Sequence, residues 1–197
     1  VTAVYWHNAD PDGLHLTVAD TGWAKSAWGK LYGQWLAETC IFVYDMDKFV
    51  PDRLLKKIER YQVTTFCAPP TIYRYFIKED LSKYDLSSLK YATIAGEPLN
   101  PEVYYQFLEA TGLKLMEIYG QTELTVTIGN FIWMEPRPGS MGKPNAMYDL
   151  DIVDENGDSC APGETGEIVV YTDKEVPTGM FLGYYRDEER TQSVWNY

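Results

Sequence analysis

Apolar and polar positions follow two rhythms along the first two-thirds of the chain. Leu14-His15-Leu16-Thr17-Val18 alternates at nearly every residue, the period of a strand. Ala24 to Ala37 brings Trp28, Leu31, Tyr32, Trp35 and Leu36 round at helical spacing and predicts a buried helix. Ile41-Phe42-Val43-Tyr44 is a short apolar run, the pattern of a buried strand. Pro51 and Asp52 open a helix with Leu54, Leu55, Ile58 and Tyr61 on one face. Val63 to Cys67 reads as a strand stopped by Pro69-Pro70, Thr71 to Lys78 as a short helix, and Tyr91 to Ile94 as the next strand. Asn100 can cap a helix through its side-chain oxygen. Pro101 suits the first helical position and Glu102 complements the helix dipole. Val103, Phe107 and Leu108 make that helix's apolar face, Gly112 stops it, and Lys114 to Tyr119 follows as a strand.

Repeated strand–helix–strand units predict an α/β fold, a mostly parallel sheet with helices on both faces. Ligands of such sheets sit beyond the carboxyl ends of strands, which points to the segments after Ile94 and Tyr119. Past about Asn130 the texture changes. Pro136, Pro138, Gly139, Gly142 and Pro144 are turn signals. Asp149–Val153 and Glu167–Tyr171 then alternate like strands of a half-exposed sheet, with turns at Glu155-Asn156-Gly157-Asp158 and Pro162-Gly163. The expected organisation is an α/β subdomain over 1–133 and a smaller β-rich subdomain, a partial barrel, over 134–197. Gly183 to Tyr197 reads as a loop leading into a short helix.

Composition narrows the function. The 197 residues suit one large domain, or one domain and part of another. A net charge of -12 opposes nucleic-acid binding and docking on anionic lipid. It leaves room for a nucleotide, because helix ends and loop amides bind phosphate locally. Aromatic residues at 15% suit both a filled core and an aromatic-lined pocket. Cys40, Cys67 and Cys160 are odd in number and far apart, without zinc or redox spacing, and read as reduced residues of a cytoplasmic protein. A mitochondrial matrix location is the eukaryotic alternative. No apolar run is long enough to span a membrane, and Val1 to Trp6 shows no signal peptide. His7 and His15, the two histidines, build no Ser/His/Asp or metal set and read as structural or exposed.

Two segments carry candidate chemistry. In Ala95-Gly96-Glu97-Pro98-Leu99-Asn100-Pro101, Gly96 lets a flat ring approach the backbone, although an ordinary strand-to-helix turn has the same composition. In Tyr119-Gly120-Gln121-Thr122-Glu123, Thr122 offers a hydroxyl to a phosphate oxygen and Glu123 a hard carboxylate to Mg²⁺. Gly120 permits close backbone approach. A polar loop with a solvated Glu is the plain alternative.

In order and spacing, Ala95-Gly96-Glu97 and Tyr119-Gly120-Gln121-Thr122-Glu123 resemble the adenine loop and the Thr/Glu nucleotide motif of the adenylate-forming superfamily. That superfamily includes acyl-CoA synthetases, peptide-synthetase adenylation domains and luciferases. Gly139-Ser140-Met141-Gly142-Lys143-Pro144 and Pro162-Gly163-Glu164-Thr165-Gly166-Glu167-Ile168 match further landmarks in the expected order, so the resemblance covers essentially the whole chain. Ala19-Asp20-Thr21-Gly22-Trp23-Ala24-Lys25 is similar to the short- and medium-chain acyl-CoA synthetase branch, which places Trp23 in the acyl-pocket wall; core packing is the alternative for that residue. Cys67-Ala68-Pro69-Pro70-Thr71 is similar to a segment near that branch's pantetheine tunnel.

The resemblance implies a two-step reaction. A carboxylic acid attacks the α-phosphate of ATP and releases pyrophosphate, and the CoA thiol then displaces AMP. It implies Gly96, Glu97 and Pro98 against adenine, with Tyr119, Gly120 and Gln121 also at the nucleotide. Thr122 would donate to the α-phosphate, Glu123 would hold Mg²⁺, and Trp23, Tyr119 and Gly120 would line the acyl end. ATP, Mg²⁺, CoA and a small carboxylic acid are the implied ligands; nucleic acid and membrane are not. Three family features are absent from the sequence: a Ser/Thr/Gly-rich phosphate loop with its Lys, a ribose-binding Asp, and a C-terminal domain with an essential Lys. The chain is therefore expected to be an internal fragment of the N-terminal domain of a longer enzyme. It would be partnered by the missing N- and C-terminal parts and inactive alone. Another adenylate former of the peptide-synthetase type, or a non-catalytic ligand-binding module, are the other readings.

Overall fold

A computed structural model describes residues 1–195; Asn196 and Tyr197, which end the expected loop and short helix, lie outside the described residues. Among the described residues there are nine strands: β1 (Leu14–Thr17), β2 (Cys40–Ile41), β3 (Thr65–Ala68), β4 (Tyr91–Ala95), β5 (Leu115–Gln121), β6 (Thr125–Gly129), β7 (Lys143–Pro144), β8 (Asp149–Val153) and β9 (Glu167–Tyr171). The α-helices are α1 (Ala24–Ser26), α2 (Tyr32–Leu36), α3 (Pro51–Tyr61), α4 (Pro70–Phe76), α5 (Pro101–Thr111) and α6 (Glu188–Trp195). One sheet runs β2-β1-β3-β4-β5-β6-β7. β1 to β5 pair in parallel, and β6 returns antiparallel on β5. The compact units are Val1–Lys143 and Pro144–Tyr197, a division that falls later in the chain than the change of texture at 133/134.

Alternation along β1, β3 and β4 sorts side chains onto two unlike faces. Leu16, Phe66, Ala68, Ala92 and Ile94 enter one apolar core. α3, α4 and α5 close that face with Leu54, Leu55, Ile58, Tyr73, Phe76, Val103 and Phe107. The intervening positions His15, Thr17, Thr65 and Thr93 are polar, and all four are buried. That second face also holds a smaller apolar cluster around Trp6, Cys67, Ala95, Met116 and Ile118. The Trp6 indole donates to the Met116 carbonyl at 2.8 Å.

The polar face explains the largest departure from the pattern. Ala24–Leu36 is helical, as α1, a five-residue π-helical turn over Ala27–Leu31, and α2. Yet its aromatic positions point outward: Trp35 is 62% exposed and Leu36 87%, with Trp28 and Tyr32 also exposed. Ser26, Gly29 and Gln34 face inward instead. Thr17 Oγ1 and Gln34 Nε2 each donate to the Gly29 carbonyl at 2.9 Å, and His15 Nε2 lies 3.2 Å from it. Leaving such buried groups unmet costs about 1–3 kcal/mol each, and this outweighs the apolar pattern of the segment.

Three smaller corrections follow. The apolar run Ile41–Tyr44 is not a buried strand. β2 covers only Cys40–Ile41 at the sheet edge, and Val43 is exposed. Tyr61 closes α3 on its exposed side, while Leu54, Leu55 and Ile58 are buried. Tyr119 does not end its strand: β5 runs on to Gln121 and turns directly into β6, so the motif is part of a β-hairpin rather than a loop that follows the strand.

In the second unit β8 and β9 pair antiparallel, from Asp149 opposite Tyr171 to Val153 opposite Glu167. Asp154 Oδ1 accepts from the Asn156 and Asp158 amides at 2.9 and 3.0 Å, building the turn expected there. Among the described residues the unit holds a small two-stranded antiparallel sheet and α6.

Candidate functional site

The carboxyl ends of β4 and β5 border a cavity of about 210 Å³. The wall segment Ala24–Leu36, the turn before it, and the first helical turn Thr2–Trp6 close the sides. Its lining brings together Trp6, Trp23, Lys25, Trp28, Gly96, Gly120, Gln121, Thr122 and Val126. Two glycines shape it. Gly96 has φ +105°, a backbone conformation that other residues rarely adopt. At Gly120 a Cβ would overlap the Thr125 carbonyl, so the hairpin closes only over a glycine. A register shift between Tyr119 and Gly120 marks the same point.

Of the residues singled out from the sequence, Trp23, Gly96, Gly120, Gln121 and Thr122 line this cavity; Glu97, Pro98, Tyr119 and Glu123 do not. Trp23 is 55% exposed, so it is not a core residue. The Tyr119 hydroxyl accepts from Gln121 Nε2 at 3.2 Å. The Glu97 carboxylate accepts from Thr71 Oγ1 at 2.9 Å and from Arg74 at 3.3 Å. That bond ties the loop after β4 to the segment that starts α4. Pro98 is exposed, and Glu123 is partly buried in the turn between β5 and β6.

Several residues that matter here carried no distinctive signal. Glu117 is buried on β5 and accepts from the Leu99 amide at 3.0 Å, pinning the loop after β4; burial pushes its carboxyl up, against that hydrogen bond. Lys25 Nζ donates to the Ala95 carbonyl at 3.0 Å. Burial draws the Lys25 ammonium below its usual range, opposed by Cys67 and Glu97. Below the wall lie two fully buried histidines. His7 Nδ1 is 2.9 Å from Thr93 Oγ1. His15 is held by Thr65 Oγ1 at 2.7 Å and Thr17 Oγ1 at 2.6 Å. Burial, then the charges of His15 and Lys25, keep His7 well below the ordinary histidine range, and burial takes His15 down to about 4. The cavity therefore rests on neutral imidazoles at pH 7. A pattern of apolar and polar residues shows that such positions are polar without showing that a sheet will bury them.

Chemically, the arrangement offers an apolar aromatic slot for a small organic group beside a hydroxyl and backbone positions open to close approach. Among the described residues no group of three or more His, Cys, Asp or Glu could hold a metal ion alone. Glu123 follows Thr122 directly, and one carboxylate beside a hydroxyl suits Mg²⁺, which takes one or two carboxylates plus phosphate oxygens.

The chain was compared with known proteins. A family model described as AMP-binding enzyme matches residues 1–185. Acyl-coenzyme A synthetase ACSM3, mitochondrial, of Homo sapiens is 38% identical over 194 residues, covering 98% of this chain and 33% of its own length. 4-Hydroxybutyrate–CoA ligase 1 of Metallosphaera sedula is 40% identical over 182 residues, covering 91% of this chain and 32% of its own. The chain thus spans about a third of the length of the curated relatives it matches. Among solved structures, the anthranilate CoA ligase AuaEII with anthranoyl-AMP superposes with a TM-score of 0.87 at 27% identity, over 99% of this chain and 37% of that one. An acyl-CoA synthetase of Brucella canis gives 0.79 at 29% identity, over 93% and 34%.

Proposed function

The chain belongs to the AMP-binding enzyme family, and from that premise we propose that it supplies the acid-binding and adenine-binding part of an AMP-forming acyl-CoA synthetase acting on a short- or medium-chain carboxylic acid. One observation carries this reading. Residues from Trp23 to Thr122, distant in sequence, converge on a single aromatic-walled cavity at the carboxyl ends of β4 and β5. In this reading the acid's hydrocarbon part lies against Trp23 and Gly120. Its carboxylate points toward Thr122, whose hydroxyl donates to the α-phosphate of ATP.

The roles divide by charge. Attack on phosphorus builds charge on the phosphate oxygens, and a fixed donor there lowers the barrier. Thr122 is that donor. Gly96, Glu97 and Pro98 form the adenine rim, with Glu97 stiffened by Arg74 and Thr71 rather than offered to the ring. Gln121 and the backbone of Tyr119 and Gly120 border the nucleotide. Glu123 would hold Mg²⁺, which when bound neutralises phosphate charge. CoA would enter after adenylation, past the Cys67–Thr71 segment. The surroundings would be cytosol or mitochondrial matrix; among the described residues no helix is long and apolar enough to cross a membrane.

Binding and rate test this together. A non-hydrolysable acyl-adenylate should quench fluorescence from the cavity tryptophans and bind more tightly than AMP. In the full-length enzyme that carries this segment, Thr122→Ala should lower the adenylation rate by roughly 10²–10³. Failure of the analogue to bind, or a near-normal rate for Thr122→Ala, would overturn the assignment.

A further inference from the structure

Among the described residues, Lys25 is the one charged side chain in the cavity lining. Its neighbours there are aromatic, aliphatic or small, apart from threonine hydroxyls and the Gln121 amide. Its Nζ stands 5.7 Å from the Trp23 ring centroid and donates to the Ala95 carbonyl. An ammonium has three N–H donors, and this bond uses one. Among the described residues no ion pair involves Lys25. Glu97, whose charge reaches it, has its carboxylate on Thr71 and Arg74. The Cys67 thiol, also within electrostatic reach, is fully buried and pushed toward its neutral form by that burial. A cation partly withdrawn from water and without an ion pair is costly. A ligand oxygen in the cavity would offset that cost.

Two oxygens of an acid substrate could meet it. The reacting carboxylate fits poorly. It loses its charge as its oxygen bonds to phosphorus, so an ammonium on it would stabilise the free acid more than the transition state and slow the step. An oxygen at the far end of the acid keeps its charge and hydrogen-bonding capacity throughout. The cavity's volume of about 210 Å³ has room for a small organic acid. Resting on the synthetase reading above, we propose that Lys25 is a specificity-determining residue. It selects short carboxylic acids that carry an oxygen, hydroxyl or second carboxylate, at the end remote from the reacting group.

The test uses three acids of one chain length: hexanoate, terminally hydroxylated hexanoate, and adipate. Each is titrated by tryptophan fluorescence and assayed for pyrophosphate release with ATP, in the full-length wild-type enzyme that carries this segment and in its Lys25→Met and Lys25→Gln variants. A hydrogen bond to a charged group is worth ~1.5–3 kcal/mol, about tenfold or more in affinity. The wild type should bind at least one oxygen-bearing acid about tenfold more tightly than hexanoate. Lys25→Met should erase that preference and accept hexanoate at least as well. Lys25→Gln, neutral but still a donor, should keep a preference for the hydroxyl acid and lose one for adipate. The hydroxylated acid and adipate separate the two oxygen sources. Tighter binding of plain hexanoate by the wild type, or the same profile in all three proteins, would overturn the proposal. An equal loss for every acid in folded Lys25→Met would also overturn it, by assigning Lys25 to the reacting carboxylate. If the binding preference holds while no acid releases pyrophosphate, the synthetase reading fails and the selectivity of Lys25 stands.

Discussion

The helices on the two faces of the sheet follow opposite rules. α3 turns Leu54, Leu55 and Ile58 onto an apolar sheet face, each essentially without exposure. The wall Ala24–Leu36 turns Ser26, Gly29 and Gln34 onto a polar one and leaves Trp35 and Leu36 outside. The sheet decides which face is buried, through the alternation of Leu16, Phe66 and Ile94 with His15, Thr17, Thr65 and Thr93. Apolar contact can be satisfied by any side chain of suitable volume. The polar contact is directional, so it fixes the Gly29 carbonyl and with it the wall that carries Trp23, Lys25 and Trp28. Stability is concentrated on one face, and the candidate site on the other.

The largest expected effect tests that division directly. Leu54→Ala removes a fully buried side chain and should cost about 2–5 kcal/mol. Trp35→Ala removes a larger side chain from an exposed position and should stay within about 0.5 kcal/mol. Urea unfolding of the two variants gives the comparison. Equal losses would mean that the outward tryptophan is covered and that the two faces do not differ in this way.

How far the sequence discloses this structure depends on the face. α5 is legible in detail because its signals are local. Asn100 accepts from the Glu102 amide at 2.9 Å, Pro101 opens the helix, and Gly112 closes it with φ 72°. The strands and their parallel order follow from the alternation of segments. The family resemblance rests on short motifs such as Ala95–Glu97 and Tyr119–Glu123, and the family is the one the comparisons give. The wall was not legible, since its inversion depends on Thr17 and His15 from another segment and on a π-helical turn that shifts the helical phase. Lys25 and Glu117 were silent for a related reason. One charged residue in a pattern looks solvated until the tertiary fold buries it.

The second effect is a dependence on acidity confined to the polar face, where both histidines lie. Burial depresses their folded pKa values, His15 to about 4 and His7 well below its usual range. The unfolded chain binds those protons near 6.5. Above about pH 6.5 both states leave the imidazoles neutral, and the stability that depends on them is complete. As pH falls from there toward 4, the unfolded state takes up protons that the fold refuses. Stability should then drop by ~1.4 kcal/mol per pH unit for each histidine. His15→Gln should flatten the profile by one proton over that window, whatever the carboxylates contribute in both proteins. Urea midpoints between pH 4 and 7 measure it. Identical slopes would show that His15 takes up a proton within the fold, and the neutral floor beneath the cavity would be lost.

The smallest effect separates the way the two helical regions begin. Asn100 caps α5 through its side chain. Trp23 holds the equivalent place before α1 and makes no side-chain capping bond. Asn100→Ala strips an acceptor from a helix amide and should cost ~1 kcal/mol, with Asn100→Gly costing only a few tenths. Trp23→Ala removes no cap and little buried surface, so the melting temperature should hardly move. Function should divide the other way. On the proposed synthetase reading, Trp23→Ala in the full-length enzyme enlarges the slot and should shift preference among acid chain lengths, where one methylene is worth ~1–3 kcal/mol. Asn100→Ala should leave that preference intact, because Asn100 lies outside the cavity lining and the loop after β4 stays pinned by the Glu117 bond to Leu99. Melting curves and chain-length profiles of the two variants form a crossed pair. A stability loss without a specificity change on one side, and the reverse on the other, is what two separable faces require. A matched change in both measurements for either variant would mean that the loop after β4 transmits packing into the cavity, and the two regions would have to be treated as one mechanical unit.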